Sequence, residues 1–239
     1  MPRGVYGLVS RFVYRFLNGL TRLLVATFAR WEIEGIERVP LDGPLVIIAN
    51  HLNLLDPPLI AASTPRRVHP MAKRELFETP LVGWVLWPYG AFPVRRFSAD
   101  MGALRAARNL LRHDAAVLMF PEGTRSKDAR LHPALPGAAM VALLAGAPVM
   151  PVAITGTEAV RLPGSLLGVL RGRRPHLRVV FGEPLRLDGS SADGQNAERA
   201  TDQVMRRVAA LLPESYRGAY GPGTEGTIVF ARQERERPS

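Results

Sequence analysis

The sequence predicts an α/β domain with a largely buried central sheet flanked by helices, preceded by an amphipathic helical segment. Three observations support this. Short apolar runs rich in β-branched residues, such as Leu45 to Ala49 and Pro148 to Ile154, read as buried strands. They alternate with longer stretches of helical composition, which puts helices on both sides of a sheet. Residues 1–30 differ from the rest, with apolar side chains at helical spacing and arginines between them.

A chain of 239 residues can bury one substantial core, and its 47% hydrophobic and 22% charged residues are a globular balance rather than a disordered one. The absence of cysteine excludes disulfides, thiolate metal sites and a cysteine nucleophile. The net charge of +10 is carried almost wholly by arginine, since Lys73 and Lys127 are the only lysines. Arginine is the better side chain for bidentate phosphate contacts. Such a balance suits nucleic acid, anionic lipid or acidic substrates, and equally a merely well-solvated surface.

Taken in order, Val5 to Phe28 comes first. Phe12, Phe16, Leu20, Leu23 and Leu24 recur at helical spacing, and Arg11, Arg15 and Arg22 share one face. This predicts one basic amphipathic helix, or two broken near Asn18-Gly19. No stretch reaches the ~18 uncharged apolar residues of a spanning helix, and no small-residue cleavage site marks a signal peptide. The segment reads as a helix lying in the interface of an anionic membrane, arginines toward phosphates; the competing expectation is a helix packed on the domain core. Leu45 to Ala49 is then a strand, Asn50 to Asp56 a loop, and Asp56-Pro57-Pro58 a helix start with Asp56 as cap. Met101 to Arg112 is helical and Ala115 to Phe120 a strand. Gly137 to Ala147 is helical, Pro148 to Ile154 and Leu177 to Phe181 are strands, and Ala197 to Leu212 is an amphipathic helix. The expected units are a membrane-association segment (1–30), a catalytic domain (31–215) and a loosely held tail (216–239).

Two polar sets fall in loops after strands, where α/β folds usually place their sites. The first is Asn50-His51-Leu52-Asn53-Leu54-Leu55-Asp56. An offset of five residues rotates by roughly 140° on a helix, so His51 and Asp56 can meet only in a loop that folds back. Asp56 would then keep one ring nitrogen protonated and leave the other to take a proton. The alternative is that Asp56 only caps a helix and His51 only ends a strand. The second set is Phe120-Pro121-Glu122-Gly123-Thr124-Arg125-Ser126, a tight turn with backbone N–H groups and Arg125 at a strand mouth. It suits an anion, or is simply a turn with an exposed arginine.

These blocks, with Gly90-Ala91-Phe92-Pro93-Val94-Arg95-Arg96 between them and Val149-Met150-Pro151-Val152 after them, resemble the four ordered blocks of the glycerolipid acyltransferases. The branch most similar is that of the 1-acylglycerol-3-phosphate acyltransferases, and the resemblance runs from about Trp31 to Leu185. It implies a mixed sheet of the glycerol-3-phosphate acyltransferase type. It further implies His51 as base on the acceptor hydroxyl, oriented by Asp56, with no acyl-enzyme. Arg96, Glu122, Gly123, Thr124 and Arg125 become the acceptor phosphate site, with Lys73, Arg95 and Ser126 as further substrate contacts. Val149 and Pro151 belong to acyl-donor binding or sheet packing. Arg95 departs from the family, which often has Asp there. No metal and no bound cofactor is implied: the donor is acyl-CoA or acyl-acyl carrier protein, the acceptor a lysophospholipid, and the place the cytoplasmic face of the cell membrane. Trp84, Trp87 and Tyr89 read as an interfacial aromatic belt, a wall of the acyl pocket, or core.

Other signals carry less. Gly221-Pro222-Gly223-Thr224-Glu225-Gly226 matches a dinucleotide fingerprint by letter but lacks its strand and helix. His69, His113, His132 and His176 have no metal-like spacing. Ser165 is not in a nucleophile elbow. Competing functions are acylation of glycerol 3-phosphate, another lysophospholipid or a glycolipid; thioester hydrolysis; and nucleic-acid binding, for which no recognition pattern is present.

Overall fold

The computed structural model describes residues 3–96, 100–160, 174–187 and 193–224. Its strands are β1 (Arg30–Glu34), β2 (Leu45–Ala49), β3 (Val68–Lys73), β4 (Phe92–Val94), β5 (Ala116–Met119), β6 (Val149–Thr155) and β7 (His176–Phe181). The helices are α1 (Arg3–Phe28), α2 (Asp56–Ser63), α3 (Arg74–Glu78), α4 (Val82–Tyr89), α5 (Met101–Leu111), α6 (Gly137–Ala145) and α7 (Gly194–Leu211). The strands form one mixed sheet in the order β1-β7-β6-β2-β5-β3-β4. Neighbours are parallel except β6 and β7, which are antiparallel.

The central strands are apolar at every position because both faces of the sheet are covered. In β2, Val46 and Ile48 point into a core shared with α5, α6 and α7. Leu45, Ile47 and Ala49 point into a second core shared with α1, α2 and Tyr89 of α4. The strands that the sequence reading missed lie toward the rims. β1 carries Arg30, Glu32 and Glu34, and β4 is three residues with Pro93 in the middle. Both are edge strands, where a charge or a missing N–H is tolerated. β3 holds His69, Pro70 and Lys73, so it shows no apolar run.

α1 is one continuous helix, with no break at Asn18-Gly19. It docks through its polar stripe. The Ser10 hydroxyl donates to Pro88 O (2.6 Å), the Tyr14 hydroxyl accepts from Val68 N (3.0 Å), Asn18 Oδ1 accepts from the Tyr89 hydroxyl (2.8 Å), and Arg22 Nε donates to Ala62 O (2.9 Å). Phe12, Phe16, Leu20, Leu23 and Leu24 are left facing outward. Trp84 and Trp87 of the neighbouring α4 are also exposed, whereas Tyr89 is buried. Among the described residues no helix is long and apolar enough to cross a membrane.

The packed domain reaches past residue 215. Tyr220 is buried, and its hydroxyl accepts from Ala134 N at 3.0 Å. The Gly221–Thr224 stretch is a turn closed by the Thr224 hydroxyl on Gly221 O. Ser165 and residues 225–239 of the expected tail lie outside the described residues.

Candidate active site

β2, β3, β4, β5 and β6 run the same way, so the segments that follow them meet at one edge of the sheet. β2 delivers Asn50, whose buried amide pairs reciprocally with the backbone of Ile154 (2.9 and 2.8 Å) and fastens the loop to β6. The next residue is His51, almost fully buried.

His51 and Asp56 do meet. The loop folds back so that His51 Nδ1 donates to Asp56 Oδ2 at 2.8 Å. The same oxygen accepts from Leu52 N (2.6 Å) and Asn53 N (2.7 Å), while Oδ1 accepts from the Thr157 hydroxyl (2.7 Å). Asp56 therefore does not cap α2. It sits at the first helical position, makes no cap hydrogen bond, and spends its carboxylate on the loop before the helix. With Nδ1–H held by a carboxylate, Nε2 is the ring nitrogen that can accept a proton. The Phe120 ring stacks on the imidazole, centroids 4.2 Å apart and planes 23° from parallel, which fixes the ring orientation.

β5 delivers the second segment. Gly123 sits at φ +70° and its N–H donates to Phe120 O (3.1 Å), so that N–H closes the turn rather than facing a ligand. Glu122 is buried with both oxygens on backbone: Oε1 accepts from His51 N (3.0 Å) and Oε2 from His132 N (3.0 Å). A carboxylate so engaged repels phosphate and ties two loops together, a different part from the phosphate contact expected of it. Ser126 N donates to His51 O (2.7 Å), a further tie. The Ser126 hydroxyl is turned away, donating to Asp128 (2.8 Å). Burial works against charge on Asp128, but the Ser126 hydroxyl, Arg130 N–H and His132 outweigh it and hold the carboxyl down at about 2.

The basic residues gather at the same edge of the sheet, after β3, β4 and β5. Burial, followed by the positive charge of Arg125, depresses the Arg96 guanidinium below its ordinary value. Two arginines brought within range of mutual repulsion are an arrangement that an anion would relieve. Glu75 is held low first by its own backbone N–H, then by Lys73, which it meets at 3.2 Å, and by Arg96, so Lys73 borders the same cluster. Thr124 and Arg125 are exposed on the turn. Arg95 is exposed, and its backbone N–H donates to Asp100 (2.8 Å) at the start of α5.

Val149 and Pro151 are sheet residues. Val149 is completely buried at the start of β6, the end of that strand away from the site. Pro151 is buried beside Gly182. Sequence reasoning gave no role to Thr157 and none to Phe120 as a platform. The one signal for Thr157 was Gly156-Thr157 one residue beyond the end of a predicted strand, Pro148 to Ile154. Among the described residues no group of three or more His, Asp or Glu could hold a metal ion.

Comparison with known proteins agrees with this architecture. The Acyltransferase family model matches residues 30–155. A chloroplastic 1-acyl-sn-glycerol-3-phosphate acyltransferase of Brassica napus is 34% identical over 212 residues, 86% of this chain and 58% of the relative. A chloroplastic one of Arabidopsis thaliana is 34% identical over 70% of this chain and 46% of the relative. This chain thus spans about half the length of those two plant proteins. The 1-acyl-sn-glycerol-3-phosphate acyltransferase of Streptococcus pneumoniae is 32% identical over 86% of this chain and 75% of its own. The crystal structure of the 1-acyl-sn-glycerophosphate acyltransferase PlsC from Thermotoga maritima superposes with a TM-score of 0.66 at 27% identity. It covers 84% of this chain and 80% of that one.

Proposed function

Because the chain belongs to the acyltransferase family, we propose that it moves a fatty acyl group from an acyl thioester to the free sn-2 hydroxyl of 1-acylglycerol-3-phosphate, giving phosphatidic acid for phospholipid synthesis. The observation that carries this reading is the His51–Asp56 pair on the same sheet edge as the opposed Arg96 and Arg125. Arg96 and Arg125, with Lys73 at the margin, grip the acceptor's phosphate, and that grip aims the hydroxyl at His51.

The chemistry needs no nucleophile from the protein, because the thioester is already activated. The acceptor hydroxyl gives its proton to His51 Nε2 as its oxygen attacks the thioester carbonyl, and Asp56 stabilises the imidazolium that forms. The tetrahedral intermediate collapses, the C–S bond breaks, and the departing thiolate takes the proton back from His51. The ester is left on the lipid. Phe120 and Glu122 hold His51 in register throughout.

The outward apolar face of α1, continued by Trp84 and Trp87, is the membrane contact. An amphipathic helix that docks by its polar stripe and exposes its phenylalanines has its apolar face free for lipid. A donor carried by coenzyme A or acyl carrier protein puts the reaction on the cytoplasmic face of the membrane.

The test is to incubate the purified protein with an acyl thioester and a panel of lysophospholipids, glycerol 3-phosphate and no acceptor, and to identify products by mass. We expect phosphatidic acid from 1-acylglycerol-3-phosphate, abolished in His51→Ala and strongly reduced in Asp56→Asn. A fully active His51→Ala would overturn the mechanism. Thioester loss without acceptor would make the protein a hydrolase.

A further inference from the structure

Asp56 has two carboxylate oxygens, and His51 uses only one. Oδ2 takes the ring nitrogen and two backbone N–H groups; Oδ1 takes the Thr157 hydroxyl at 2.7 Å. Both Asp56 and Thr157 are completely buried. Thr157 lies beyond the last residue matched by the family model, residue 155, and 101 residues along the chain from Asp56.

Its position is built, not incidental. β6 ends at Thr155, and the chain turns at Gly156 with φ +87°. A Cβ on Gly156 would stand 1.8 Å from His176 O, so only glycine fits the turn that carries Thr157 under Asp56. The Asn53 side chain then clasps the turn from the catalytic loop, its amide donating to Thr157 O (2.8 Å) and Val160 O (3.1 Å). Loop 50–56 and turn 156–160 are thus sewn together at three points. A carboxylate oxygen only accepts, so the Thr157 hydroxyl proton is committed to Asp56.

We propose that Thr157 is a positioning residue for the catalytic pair: its hydroxyl holds the outer oxygen of Asp56 so that the inner oxygen faces His51 Nδ1, and it draws off part of the carboxylate's charge. This rests on reading His51 as the base. Without the hydroxyl, Oδ1 is a buried acceptor with no donor among the described residues. The carboxylate is then freer to turn, and it concentrates its charge on the remaining donors. An imidazolium at His51 gains from that concentration, so the ring holds its proton to higher pH and fewer rings are free to accept a proton near and below the midpoint. Among the described residues, the other carboxylate hydrogen-bonded to His51 is that of Glu122, which meets its backbone N–H rather than its ring.

Two variants separate the hydroxyl from the packing. Thr157→Val keeps the shape and removes the donor; Thr157→Ser keeps the donor and removes a methyl. The His51 ring is titrated by NMR in the full chain without substrate, and steady-state kinetics are run alongside. In Thr157→Val the ring's midpoint is expected to rise by about half a pH unit, roughly a threefold change in the protonation equilibrium. The acid limb of kcat/KM should move up with it, and kcat should fall about tenfold while both KM values stay within twofold. Thr157→Ser should restore the midpoint and kcat to within twofold of the parent. Should Thr157→Val fail to fold by circular dichroism, Thr157→Ala removes the same hydroxyl and carries the same expectation. An unmoved or lowered midpoint on losing the hydroxyl, or a serine variant no better than valine or alanine, overturns the inference. Because the titration needs no substrate, a raised midpoint in a protein that fails to acylate lysophosphatidic acid would sink the substrate assignment and leave Thr157 standing.

Discussion

Replacing Phe12 and Phe16 by serine tests whether α1 meets lipid through the face it exposes. The two side chains are 69% and 58% exposed, and their rings stack on one another with centroids 6.1 Å apart, outside both cores. Transferring a whole phenylalanine side chain out of water is worth about 2.5 kcal/mol, so the exposed portions together supply roughly 3 kcal/mol on entering lipid. Losing that corresponds to weaker partitioning by on the order of a hundredfold. The fold should hardly notice, because the stripe that docks α1 is Ser10, Tyr14, Asn18 and Arg22. The assay is sedimentation with anionic vesicles, beside thermal unfolding and activity on a short-chain acceptor soluble without vesicles. We expect binding to fall about a hundredfold with Tm within a few degrees and the soluble activity kept. Unchanged vesicle binding would refute the reasoning, and so would a large drop in Tm, which would mean the phenylalanines hold the domain together.

Two further outcomes follow from the site. Arg125→Ala should raise the acceptor's KM ten- to a hundredfold and leave the donor's within twofold, read from initial rates with each substrate varied in turn; the reverse pattern would remove Arg125 from the phosphate site. Asp128 is held down at about 2 against burial by Ser126, Arg130 and His132, so its folded value lies below its unfolded one. The stability it lends loop 126–132 is therefore present above roughly pH 4 and lost as pH falls toward 2. Amide exchange in that loop, corrected for its intrinsic pH dependence, should be flat down to about pH 4 and rise below it, and Asp128→Asn should abolish the rise.

The sites of charge and chemistry were legible in unequal measure. His51 and Asp56 were readable as a pair only if their loop folded back, and the fold-back is made by two backbone N–H groups that any sequence at positions 52 and 53, proline apart, would supply. The same contacts took Asp56 away from the capping role that its place before two prolines suggested. Glu122, read with its neighbours as a phosphate contact, is buried against the backbone of His51 and His132 instead. α1 was readable as amphipathic, but periodicity gives a helix two faces without saying which one meets the protein. The answer came from partners far along the chain: Pro88, Val68, Tyr89 and Ala62 offered hydrogen bonds to its polar stripe.

The sequence by itself determined the buried centre of this protein. β2, β5, β6 and the inner part of β7 are covered on both faces, so burial alone dictates unbroken apolar runs that show in the letters. It also determined the α/β class, since helices must cover both sides of such a sheet, and it exposed the two polar loops in which chemistry was to be sought. Tertiary structure alone decided the rims and the company each polar group keeps. β1, β3 and β4 are strands because a neighbouring strand offers them a ladder, whatever their own composition prefers. Thr157 reaches Asp56 because a glycine turn on β6 ends beside a loop on β2, a meeting that parallel pairing of the two strands creates and no local pattern records.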